Sequence, residues 1–139
     1  MFNILNKKLA KLLVRYLNSS ARKYEPFSFS SPETLGSVLQ ESDVLLVEGN
    51  QRFSTAVKYL TQSTWSHAAL YVGYAKNLSN LPDGTPAVVE ADLRNGVIAV
   101  PLSKYAEFNT RICRPVGLDA DEIRRVVQFM ITVSVCATT

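Results

Sequence analysis

Apolar residues recur along the start of the chain with the period of an α-helix. At about 100° per residue, Phe2, Leu5, Leu9, Leu12, Leu13, Tyr16 and Leu17 share one side, while Lys7, Lys8, Lys11 and Arg15 share the other. The stretch from Asn18 to Pro32 is rich in Ser with two prolines and reads as a linker. Beyond it the pattern is mixed. Thr34 to Gln40 suits a short helix, and Asp43 to Glu48, with the apolar run Val44-Leu45-Leu46-Val47, suits a buried strand. Phe53, Val57 and Leu60 are at helical spacing, and residues 67–73, HAALYVG, form a second strand. A polar loop follows. Ala87 to Ala91 and Gly96 to Val100 are strands three and four, joined by Arg94-Asn95-Gly96 with its Asn-Gly hairpin signal. Arg111 to Arg114 is a fifth strand, halted by Pro115. Asp119 or Asp121 can cap a last helix whose inner face carries Ile123, Val126, Val127 and Met130. Helices at both ends of a mostly antiparallel sheet make the fold α+β.

Length and composition narrow the field. A chain of 139 residues that is 47% hydrophobic supports one core and not two, and no stretch is apolar enough for a membrane span. Lysines interrupt every candidate signal-peptide core, so we expect no signal peptide and a cytoplasmic location. Two cysteines, Cys113 and Cys136, and a single histidine exclude zinc-ribbon and disulfide scaffolds; we expect reduced thiols, no metal and no cofactor. Residues 1–24 hold six bases and no acid, which leaves nine bases against twelve acids in the body. A slightly acidic body argues against nucleic acid as a partner. The basic helix has two open readings: it packs on its own domain, or it lies on an anionic membrane surface as a peripheral attachment.

His67 opens a strand directly after Ser63-Thr64-Trp65-Ser66, where its ring can project over a sheet edge into a cleft. Glu90 sits inside the apolar run Ala87-Val88-Val89-Glu90-Ala91, where a carboxylate is costly without a partner. If the two strands are neighbours, a carboxylate accepting the Nδ1 proton would orient the imidazole as a general base. Ser66, adjacent in the chain, should point to the opposite face. Cys113 is expected to be a small buried residue of its strand. Cys136 is expected at a frayed end with no following helix to lower its pKa.

The run Asp43-Val44-Leu45-Leu46-Val47-Glu48-Gly49, the stretch Thr61-Gln62-Ser63-Thr64-Trp65-Ser66-His67-Ala68-Ala69, then Val89-Glu90-Ala91, Gly96-Val97 and Arg114-Pro115, together resemble the circularly permuted papain-like cysteine hydrolases of the NlpC superfamily, the YiiX/YaeF/YebB-like group, over about residues 40–125. The resemblance implies a permuted papain-like half-barrel and hydrolysis of an amide, isopeptide or ester bond through a thiolate and an acyl-enzyme. It implies that His67 is the general base and Glu90 its orienting partner, with a peptide, amide or acyl/lipid-like substrate. Permutation puts the nucleophilic Cys last, at a helix start well downstream of the Arg-Pro strand, and residues 131–139 do not continue that pattern. The expected organisation is therefore a basic amphipathic helix over 1–24, a linker with a short helix over 25–39, an incomplete papain-like domain over 40–130 and a divergent end over 131–139. Cys136 is the remaining candidate nucleophile, and a poor one. The alternative readings are a non-catalytic membrane-surface or lipid-binding module and an inactive truncated copy.

Overall fold

Every helix and strand of the sequence pattern forms in the computed structural model, which describes residues 2–17, 19, 31–50, 52–76, 78 and 80–136. The order is α1 (Phe2–Leu17), α2 (Pro32–Val38), β1 (Val44–Val47), α3 (Arg52–Thr61), β2 (His67–Tyr74), β3 (Pro86–Asp92), β4 (Gly96–Pro101), a 3₁₀ turn (Leu102–Tyr105), β5 (Thr110–Cys113) and α4 (Ala120–Cys136). Most of the expected linker, residues 18 and 20–30, lies outside the described residues, as do residues 137–139.

The five strands form one open, fully antiparallel sheet in the order β4-β3-β2-β1-β5. Side chains alternate between its two faces. On the first face, Leu45 and Val47 of β1, Ala69 and Tyr71 of β2 and Val88 of β3 pack with Leu35 and Leu39 around α2 and with Leu102 and Tyr105 of the 3₁₀ turn. On the second, Val72, Ala87, Val89 and Ala99 pack against Val127, Met130 and Ile131 of α4. Burial of these apolar groups on both faces is what the sheet and its helices are built around.

Local chemistry fixes the element ends. Asp119, rather than Asp121, caps α4: its Oδ1 accepts from the Asp121 and Glu122 backbone N–H groups, and its own N–H donates to Glu122 Oε2 at 2.9 Å, a reciprocal capping box. The helix then runs to Cys136, with Ile131 and Ser134 continuing its inner face. The β3–β4 connection is a three-residue loop, Leu93 to Asn95, at the turn that Arg94-Asn95-Gly96 marks in the sequence. Asp92 pairs with Gly96, which takes φ +73°, and Asp92 Oδ1 accepts from both the Arg94 and Asn95 backbone N–H groups at 2.8 Å.

Asp43 ties the two ends of the sheet's short strands together. Its buried carboxylate accepts from Arg114 Nε at 2.9 Å and Nη2 at 2.8 Å, and from the Gln40 N–H at 2.8 Å. Burial pushes this carboxyl up, but the Arg114 hydrogen bonds and charge outweigh it and hold the pKa below its ordinary value.

Candidate active site

β2 begins where α3 stops. Gln62 takes φ +55°, and the Ser63 N–H closes back on Lys58 O, so the chain leaves the helix abruptly and turns through Ser63–Ser66. Ser66 is then pinned to the end of β1: its N–H donates to Val47 O at 3.1 Å, and its Oγ accepts from the Gly49 N–H at 3.0 Å. His67, opposite Val47, is delivered at the sheet's first face.

Glu90 lies diagonally from it. Its direct partner across the β2–β3 ladder is Ala69, whose small side chain leaves room above it. His67 Nε2 is 2.8 Å from Glu90 Oε2, on the same face of adjacent strands, as expected. The contact uses Nε2, however, and not the Nδ1 of the expectation. The Glu90 side chain is only 2% exposed, whereas His67 is 31% exposed and open to the cleft.

Two further residues meet Glu90. Tyr105 gives its phenolic proton to Oε2, and Lys104 donates to Oε1. Tyr105 Oη is also 3.2 Å from His67 Nε2, its ring lies edge-on to Phe108, and the Lys104 ammonium stands 5.5 Å from its ring centre. Burial pushes the Glu90 carboxyl up, but the hydrogen bonds from His67 and Lys104, with the positive charge of Lys104, more than offset it. Its pKa lies below its ordinary value, and it is ionised at neutral pH. Sequence reasoning did not find Lys104 and Tyr105. Leu102-Ser103-Lys104-Tyr105 carries no motif, and only the 3₁₀ turn, anchored by buried Leu102, brings both side chains under β3.

These groups line a cleft of about 130 Å³ together with Val47, Gly49, Phe53, Ser54, Leu93 and Phe108. A side chain at Gly49 would crowd the cleft wall: a Cβ would lie 2.2 Å from Ser54 Oγ. Glu48, just before it, accepts from Lys58 Nζ and Asn109 Nδ2, each at 2.8 Å, which braces β1, α3 and the approach to β5 behind the cleft. Among the described residues, no group of three or more His, Cys, Asp or Glu is placed to hold a metal ion.

Neither cysteine is at this cleft. Cys113 is exposed, which corrects the expectation of a buried strand residue. β5 is an edge strand, and its inward residue is Ile112, so Cys113 faces the other way, on the opposite face from His67. It also lies opposite Val44 rather than Val47, about 10 Å further along the ladder. Cys136 is the exposed last residue of α4, the helix that covers the second face. Ser66 does line the cleft, with its Oγ engaged by Gly49.

No curated protein matches the chain. A family model described as "Permuted papain-like amidase enzyme, YaeF/YiiX, C92 family" matches residues 38–130, which contain β1 to β5, both members of the His67–Glu90 pair and most of α4. The match spans well over half of the sequence, and the chain belongs to this family of permuted papain-like amidases.

Proposed function

We propose that the chain carries the base half of a cysteine-type amide hydrolase, with His67 as general base and Glu90 as its orienting partner. The observation that supports this best is the 2.8 Å contact between His67 Nε2 and an ionised, buried Glu90, inside a cleft. An imidazole bound to a carboxylate through Nε2 keeps its lone pair on Nδ1, the atom that takes the proton of a thiol as the thiol attacks a carbonyl. The same nitrogen returns that proton to the departing amine, and a water then hydrolyses the thioester. The substrate is a peptide or other small amide whose acyl side fits among the apolar lining residues Phe53, Leu93 and Phe108. Neither Cys113 nor Cys136, the two cysteines of the sequence, supplies that thiol, since both belong to the far face of the sheet. By itself the 139-residue chain then has no thiol hydrolase activity. The test is intact-mass measurement after treatment with an electrophilic acyl-amide probe, in the native sequence, in His67→Ala and in Cys136→Ala. We expect no adduct that depends on His67. An adduct requiring both His67 and Cys136 would make Cys136 the nucleophile of a working enzyme.

A second reading concerns α1 and has its own observation. Leu9, Leu12, Leu13 and Tyr16 are all more than half exposed, and Lys8, Lys11 and Arg15 are exposed beside them. Exposed apolar residues and exposed bases on one helix suit an anionic lipid surface. Among the described residues no helix is long and apolar enough to cross a membrane, so the contact proposed is peripheral. Co-sedimentation with anionic vesicles that weakens as salt rises supports it; equal binding to neutral and anionic vesicles at low salt contradicts it.

A further inference from the structure

Glu90 is held by three donors, of which His67 is only one. Oε1 accepts from Lys104, and Oε2 accepts from both Tyr105 and His67. We propose that Lys104 and Tyr105 are positioning residues that fix the neutral His67 imidazole in one tautomer, with the proton on Nε2 and the lone pair on Nδ1. This rests on the reading of His67 as the base, since only a defined lone pair can take a proton at a defined place.

The argument follows from what each atom can donate. An ionised carboxylate has no proton to give, so whichever atom meets Oε2 must donate. The Tyr105 hydroxyl has one proton, and it goes to Oε2. It is therefore not available to Nε2, although Oη is 3.2 Å away. Nε2 is then bounded by two oxygens, one with no proton and one whose proton is already placed, and must itself carry N–H. Lys104 completes the arrangement from the other side. By engaging Oε1 it stops the carboxylate from rotating about its last torsion, a broad two-fold one, and keeps Oε2 towards the ring. The Lys104 side chain is 43% exposed and sits at the cleft's edge, whereas Tyr105 is buried. The cation can thus be replaced without opening the core, and the phenol can lose its oxygen while its ring stays packed on Phe108.

His67 is the sole histidine of the sequence, so its ring nitrogens are assignable without ambiguity by ¹⁵N NMR of the intact chain. In the native protein we expect the Nε2–H pattern, with a ring proton that exchanges slowly with water. Tyr105→Phe and Lys104→Met should each accelerate that exchange by tenfold or more and move the ring towards a mixture of tautomers, while the backbone amide spectrum away from the cleft is unchanged. Lys104→Arg, which retains a cation, should restore slow exchange. A ring proton found on Nδ1 in the native chain overturns the inference, as does slow exchange that survives both Tyr105→Phe and Lys104→Met. The readout needs no turnover, so it separates from the base reading: a fixed Nε2 proton without any His67-dependent cleavage by an added small thiol would support the positioning and sink the catalytic role.

Discussion

His67 and Glu90, 23 residues apart in sequence, meet at 2.8 Å because the Ala69↔Glu90 register places them diagonally on one face of β2 and β3. The contact makes Glu90 a buried charge whose cost is met locally, and this gives it a pH signature. A carboxyl whose folded pKa is depressed contributes stability that is fully present above its unfolded value, about 4, and is lost as pH falls through the folded one. Glu90, Asp43 and Glu48 are all of this kind. We therefore expect unfolding stability to be level near neutrality and to decline in the acid range below about pH 4. Glu90→Gln should make that decline shallower. Glu90→Ala strands the buried Tyr105 hydroxyl and should cost about 1–3 kcal/mol in urea unfolding. An acid limb in Glu90→Gln identical to the native one would remove Glu90 from this account.

Gly49→Ala tests the wall of the cleft. The added Cβ would lie 2.2 Å from Ser54 Oγ, 2.9 Å from Ser54 Cβ and 3.0 Å from Ser66 Oγ, and Ser54 is buried and cannot swing into solvent. Something must shift, and overpacking of this sort costs about 1–3 kcal/mol. We expect a lower urea midpoint with an unchanged slope. Unaltered stability would mean that the backbone at Gly49 yields more readily than the packing implies.

Cys113 should react with a thiol reagent in the folded protein, at a rate that His67→Ala does not alter. The thiol is exposed on an edge strand, on the face away from the imidazole. Labelling measured in a Cys136→Ser background would isolate it. Protection until the protein unfolds would contradict the exposure, and a rate that drops in His67→Ala would contradict the geometry.

Much of this site was legible in the sequence because its principal pair broke local rules. A carboxylate within Val88-Val89-Glu90-Ala91 and an imidazole at the first position of a strand both demand explanation, and two-residue alternation then sets their faces. Lys104 and Tyr105 broke no rule. Their role depends on how far a 3₁₀ turn carries the chain back under β3, which residue types do not encode. The misreading of Cys113 has a different origin. Thr110–Cys113 looks like any short strand, and its exposure comes from strand order, since β5 crosses over to pair with β1 at the sheet's edge instead of β4.

The central claim, that His67 acts as a base inside this cleft, is tested most directly by giving it a thiol. A small activated acyl substrate and a small exogenous thiol are mixed with the chain, with Cys113→Ser and Cys136→Ser removing its own thiols, and thiol-dependent cleavage is compared with the same chain carrying His67→Ala. No other imidazole is present to confuse the result. The account predicts roughly tenfold faster cleavage with His67 in place, less than the hundredfold or more of a fully positioned pair because the thiol arrives by diffusion. Equal rates in the two proteins would contradict it.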